Sequence, residues 1–145
     1  MQSLPAGTLH EAGLRVTALR MAVLEVLGAT PHSTADVVID AVEGRIGPAS
    51  RQGVYDALNT LVSAGVLRRI EPAGSPARFE TRTGDNHHHV VCRRCGVTAD
   101  VDCDRSLAPC LDPVDPHGFR LDEAEITFWG LCPDCQEMPR EEHNA

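Results

Sequence analysis

Three consecutive histidines, His87, His88 and His89, stand just before the pair Cys92-x-x-Cys95, and a second pair, Cys132-x-x-Cys135, lies near the end of the sequence. Thiolates are soft donors suited to tetrahedral zinc. Imidazoles beside carboxylates form a harder set that also accepts iron, manganese or nickel. Two metal chemistries therefore share one short region. Each Cys-x-x-Cys is a knuckle that places two thiolates on one ion, and two knuckles complete a tetrahedron. Cys92, Cys95, Cys132 and Cys135 are read as a structural Zn2+ site tying the first strand of a small domain to its last. A thioredoxin-like redox pair competes with this reading, but it needs only one such pair, opening a helix.

On a strand, residues two apart face the same side, so His87 and His89 can ligate together while His88 points away. Asp100, on the next strand candidate, adds a carboxylate. The competing reading is a solvated His-rich turn. Cys103 and Cys110 remain after the zinc pairs. They are either buried structural thiols or a pair that closes reversibly under oxidant. The sequence has no His-Glu-x-x-His motif and no evident general base for an open zinc position, which argues against a metallohydrolase. We expect no enzyme and no small-molecule substrate.

These donors must be positioned by a chain of 145 residues, enough for one compact domain or two small ones. A half of about 65 residues is marginal alone and gains from a structural metal or a dimer partner. No run approaches the roughly 18 apolar residues of a membrane span. The start lacks a basic segment followed by an apolar run, so no secretion signal and no membrane partner are expected. With cysteines in metal-ligand pairs rather than a disulfide framework, this implies a cytoplasmic protein. Charge is uneven: residues 1–80 carry seven Arg and eight Asp or Glu, and residues 81–145 six and thirteen. An acidic chain is a poor generic nucleic-acid binder. Any DNA binding is therefore expected from the near-neutral first half, presented by a dimer.

The first half reads as helices. A short one ends at Gly13. Thr17 caps the next, which runs to about Leu27 with Leu19, Val23, Val26 and Leu27 on its buried face. A third covers about Thr34 to Glu43 and buries Val37, Val38, Ala41 and Val42, with Gly44 to Pro48 as a loop. Ser50 caps a fourth, which ends at Gly65 and buries Val54, Leu58, Leu61 and Val62. Its opposite face carries Arg51, Gln52, Tyr55 and Asn59, side chains able to contact phosphates and base edges. A solvated helix face is the plain alternative. Strand candidates Val66 to Glu71 and Ala77 to Thr81 follow, and helices followed by a hairpin describe a winged helix-turn-helix. The second half predicts strands at about His88–Cys92, Val97–Cys103, Phe119–Asp122 and Glu125–Leu131, with a short helix near Ser106–Leu111.

Five motifs occur in order: Ala12-Gly13-Leu14-Arg15-Val16-Thr17 with Arg20, Pro31-His32-Ser33-Thr34-Ala35-Asp36, Val54-Tyr55-Asp56-Ala57-Leu58, the histidines with Cys92-x-x-Cys95, and Gly130-Leu131-Cys132-x-x-Cys135. Together they resemble the ferric uptake regulator (Fur) family, nearest to its actinobacterial FurA and PerR-like, peroxide-responsive branch. The resemblance spans roughly residues 8–135. It implies an α+β protein: an N-terminal winged helix-turn-helix (residues 1–82), then a small α/β dimerisation domain with a four-cysteine zinc site (83–135), and a polar, flexible tail (136–145). It further implies a homodimeric repressor bound to a double-stranded DNA operator, with regulatory Fe2+ or Mn2+ on His32, Glu80, His87, His89 and Asp100. Asp85 competes with Glu80, because the match at Glu80 is offset by one residue. Arg15 becomes a candidate for minor-groove insertion and Tyr55 for a thymine-methyl contact.

Members of that branch repress catalase-peroxidase genes and often their own gene. In the PerR-like pattern, peroxide reacts with bound Fe2+ and oxidises a ligand imidazole, here His32 or His87. The chain departs from the family at Asp56, where many members carry Arg, and at Asn86 and Ala124, where an auxiliary metal site needs histidines. No complete auxiliary site is expected. The alternative function is a metal-uptake regulator for iron, zinc or nickel without oxidant sensing. A zinc-ribbon interaction module that binds no DNA is a further rival.

Overall fold

The computed structural model describes residues 4–81, 83, 87–102, 115–120 and 125–138, and the chain divides into two compact units, Met1–Gly84 and Asp85–Ala145. Among the described residues no helix is long and apolar enough to cross a membrane.

The first unit runs α1 (Leu4–Glu11), α2 (Ala18–Ala29), β1 (Ser33–Thr34), α3 (Ala35–Ile46), α4 (Arg51–Ser63), β2 (Arg68–Ile70) and β3 (Arg78–Glu80). Hydroxyl side chains start three of the helices by accepting an otherwise orphaned backbone N–H. Thr17 takes that of Arg20 at 3.1 Å, Thr34 that of Val37 at 3.5 Å, and Ser50 that of Gly53 at 2.9 Å. The end of α4 is set by Gly65 at φ 75, with Val66 N–H donating to the Leu61 carbonyl and Gly65 N–H to that of Val62. This is the paired-bond termination that a left-handed glycine permits.

Leu9, Val23, Leu27, Val38, Val42, Val54, Leu58, Leu61 and Phe79 form the centre of the core. Leu19, Ala41 and Val62 only border it. Val37 is a correction: it is 50% exposed. The buried stripe of α3 is Ala35, Val38, Ile39 and Val42, an i, i+3, i+4, i+7 pattern, and Val37 falls outside that face. The loop expected from Gly44 also fails. A helical glycine costs only about 1 kcal/mol relative to alanine, so α3 continues to Ile46 and stops at Gly47, whose φ is 86.

β2 and β3 pair antiparallel with Arg69 opposite Phe79, and β1 adds to the other edge of β3, giving the order β1-β3-β2. Two residues are too short for any periodicity, which is why β1 was not expected. Phe79 enters the core, and alternation leaves Arg78 and Glu80 on the opposite face of β3.

The second unit contains β4 (His87–Cys92), β5 (Thr98–Asp102), β6 (Thr127–Gly130) and α5 (Pro133–Glu137). β4 is central, antiparallel to β5 and parallel to β6. Phe119 and Arg120, expected to begin a strand, lie outside any strand, and Phe119 is 72% exposed. The rest of that strand, and the helix expected near 106–111, lie outside the described residues. α5 also corrects the boundary of the tail, since Gln136 and Glu137 are helical. Pro133, with its fixed φ, opens the helix at a position where no backbone donor is needed. Residues 139–145 lie outside the described residues.

Candidate functional site

The end of β4 and the turn after it carry Cys92 and Cys95, while Cys132 and Cys135 flank the first turn of α5. One sulfur from each of the four lies within 4.8 Å of the others, and Cys95 Sγ is 3.7 Å from Cys132 Sγ. Tetrahedral zinc with bonds of about 2.3 Å separates its sulfurs by roughly 3.8 Å. The donor set and its spacing fit that ion. Cys92 and Cys135 are buried and all four are free of disulfides. Backbone N–H groups, first that of Cys132 and then that of Cys95, hold the Cys92 thiol down at about 6. The neighbouring thiol of Cys132, then burial, pushes Cys135 up to about 12. Four sulfurs this close cannot all ionise without a cation among them. Arg93 stacks over the Trp129 ring at 5.4 Å, bracing the knuckle against β6.

The other face of β4 presents His87 and His89, whose ring centroids are 4.8 Å apart. Both reach one oxygen of Asp100 on β5: Nε2 of His87 at 3.4 Å and Nε2 of His89 at 3.3 Å from Oδ1. The register explains the convergence, because His89 is paired directly with Asp100 and His87 with Asp102. Donors bound at about 2.1 Å to one ion stand roughly 3 Å apart, so these three atoms suit a shared divalent cation. His88 lies on the opposite side, buried, with Nδ1 lacking a hydrogen-bond partner among the described residues.

The first unit holds a second donor pair. His32 Nε2 lies 2.9 Å from Glu80 Oε2, and Glu80 is 1% exposed. His32 precedes β1, and the register Ser33↔Phe79, extended by one residue, sets it opposite Glu80. Its backbone has φ 65, a left-handed conformation uncommon for a non-glycine residue and worth about 1–2 kcal/mol of strain. His32 Nε2 and Glu80 Oε2 are thus an imidazole and a carboxylate close enough to serve one divalent ion.

Arg51, Gln52, Tyr55 and Asn59 are all exposed on α4, with their backs to Val54, Leu58 and Leu61. Arg51 Nη2 is 2.6 Å from Asp36 Oδ1 on α3, and Gln52 Nε2 donates to Asp56 Oδ1 at 2.8 Å. Arg15 is exposed before α2, where its carbonyl accepts from Arg20 Nη1 at 2.9 Å. Cys103, Cys110, Asp85, Asn86 and Ala124 lie outside the described residues. Two residues that sequence reasoning passed over contact these candidates: Asp36, the partner of Arg51, and Arg78, whose Nη1 donates to the His32 carbonyl at 3.0 Å. The signal for Arg78 was its place two residues from Glu80 on one strand face.

Residues 11–129 match the ferric uptake regulator family. The chain is 55% identical over 137 residues to the transcriptional regulator FurA of Mycobacterium tuberculosis, covering 93% of each chain. It is 31% identical over 136 residues to the peroxide operon regulator of Bacillus subtilis, covering 90% of each. The iron-containing ferric uptake regulator structure from Francisella tularensis superposes with a TM-score of 0.71 at 22% identity, covering 86% of this chain and 96% of that one, and shares its fold. With a family match over most of its length and a relative at this identity, the chain belongs to the ferric uptake regulator family of metal-responsive, DNA-binding transcription regulators, which are not enzymes.

Proposed function

We propose that this regulator is a homodimeric, cytoplasmic repressor that binds a double-stranded operator when loaded with Fe2+ or Mn2+ and responds to peroxide or iron. The observation that carries the reading is the separation of donor types: a four-thiolate cluster suited to Zn2+, and imidazole–carboxylate sets suited to harder ions. In this reading Cys92, Cys95, Cys132 and Cys135 hold structural Zn2+. His32, Glu80, His87, His89 and Asp100 together hold the regulatory ion, with Asp85 as the competitor of Glu80. Metal binding then favours the DNA-binding form of the protein over its other forms. Moving such an equilibrium from 1:99 to 99:1 takes about 5.5 kcal/mol of differential binding. Arg15, Arg51, Gln52, Tyr55 and Asn59 then contact DNA.

Relatedness to a peroxide operon regulator supports oxidant sensing. Fe2+ held by these donors would give one electron to peroxide, becoming Fe3+ as the O–O bond breaks to hydroxide and a hydroxyl radical, which Mn2+ would not do. The His32 or His87 imidazole would be the ligand that the radical oxidises. Cys103 and Cys110 offer a thiol route as well. The proposed targets are catalase-peroxidase or other oxidative-stress genes and the regulator's own gene. The family description, ferric uptake, favours a second reading: a metal-uptake regulator without oxidant sensing.

Fluorescence anisotropy on DNA from the protein's own promoter separates the two. Apo, Mn2+-loaded and anaerobic Fe2+-loaded protein are compared before and after equimolar peroxide. Binding by both metal forms, with release of the Fe2+ form alone, supports peroxide sensing. Survival of both forms leaves the metal-uptake reading.

A further inference from the structure

His32 is gripped by three consecutive residues of β3. The Phe79 carbonyl accepts its backbone N–H at 2.9 Å, Arg78 Nη1 donates to its carbonyl at 3.0 Å, and Glu80 meets its imidazole at 2.9 Å. The middle residue, Phe79, is anchored in the helical core, so alternation places Arg78 and Glu80 together on the other face, toward His32. These contacts surround a histidine whose φ of 65 most residues avoid. Such a conformation persists only where its surroundings over-determine it. The Phe79 bond is made by backbone and survives substitution, and Glu80 belongs to the proposed donor set. Of these three contacts, that of Arg78 rests on a side chain outside that set.

We infer that Arg78 is a positioning residue for metal binding: by holding the His32 carbonyl it keeps the left-handed backbone that aims Nε2 at Glu80, and so makes the β2–β3 wing part of the ligand's support. This rests on the reading that His32 and Glu80 are ligands of the regulatory ion. The long guanidinium is suited to the task. It reaches from the position paired with Thr34 back to the carbonyl two residues earlier, with a fixed charge and directional donors. A charge-assisted hydrogen bond to a buried carbonyl is also among the stronger kinds.

The test uses the full-length, zinc-replete protein with Mn2+ as the probe. Parent, Arg78→Met, Arg78→Lys and His32→Ala are titrated, with zinc content and the melting temperature of the Mn2+-free form measured on each. Hydrogen exchange at the His32 amide of the Mn2+-free form reads the backbone directly. Arg78→Met is expected to weaken Mn2+ binding about tenfold and to speed that exchange by a similar factor. Zinc content should hold, and Arg78→Lys should recover most of the affinity. If His32→Ala weakens Mn2+ binding while Arg78→Met leaves affinity and exchange unchanged, the positioning role is overturned and the ligand reading stands. If His32→Ala itself changes nothing, the ligand reading fails and the inference falls with it. A fall in zinc content and melting temperature together with Mn2+ affinity, without rescue by Lys, makes Arg78 a general structural residue and also overturns the inference. Should Arg78→Met not fold, Arg78→Gln is read in the same way.

Discussion

Arg51 Nη2 lies 2.6 Å from Asp36 Oδ1, so the first exposed cation of α4 is tied to α3 by a carboxylate on the same solvent-facing surface. Both side chains are well exposed, at 64% and 73%, and such a pair contributes little to folding. Its consequence is for the proposed DNA contact, in which Arg51 would have to share or exchange Asp36 to meet a phosphate. Asp36→Asn should tighten operator binding several-fold at low salt while shifting stability by less than about 0.5 kcal/mol. Anisotropy titrations at several salt concentrations, alongside thermal melts, check both parts.

Arg51→Ala removes the same cation and should weaken operator binding by about 1–3 kcal/mol. Asp56→Ala acts differently. It frees the Gln52 amide, which now donates to Asp56 at 2.8 Å, and should relax base discrimination more than it changes overall affinity. Competition between the operator and single-base variants distinguishes these outcomes.

The four-cysteine cluster makes a prediction about metal removal. Its sulfurs join the end of β4 to α5 in a unit with few buried apolar side chains among the described residues. Stripping zinc, or Cys95→Ser, should lower the melting temperature sharply and abolish Mn2+ binding at His87, His89 and Asp100. Retention of sheet content by circular dichroism after full zinc loss would contradict a structural role for the ion.

Asp100→Asn keeps the shape of the β5 side chain but removes the charge it would offer the proposed regulatory ion. Mn2+ affinity should fall at least about tenfold while zinc content holds, since the two donor sets are chemically separate. Isothermal titration with parallel zinc analysis reads both.

The register of α3 is open to a stability test. Val38 is fully buried and Val37 half exposed. Val38→Ala should cost about 2 kcal/mol and Val37→Ala less than about 0.5 kcal/mol by denaturant unfolding. Equal effects would mean a helix rotated from the one described.

Most of the local structure was legible from residue type. The hydroxyl caps at Thr17 and Ser50, and the helix-ending Gly65, are short-range chemistry that acts the same way wherever it occurs, while Thr34, expected as the first residue of α3, is its cap. The face shared by His87 and His89 follows from strand alternation, and the thiolate pairs from their spacing. The sequence alone thus determined helix starts, the exposed face of α4 and the two classes of metal donor. Tertiary structure decided what depends on separate segments meeting. It exposed Val37 because neighbouring helices covered a different stripe of α3, carried that helix through Gly44, and formed the two-residue β1. It also set Glu80 against His32 and put Arg78 on the His32 carbonyl. Those partners are more than forty residues apart, and only the antiparallel pairing of β1 with β3 brings them within bonding distance.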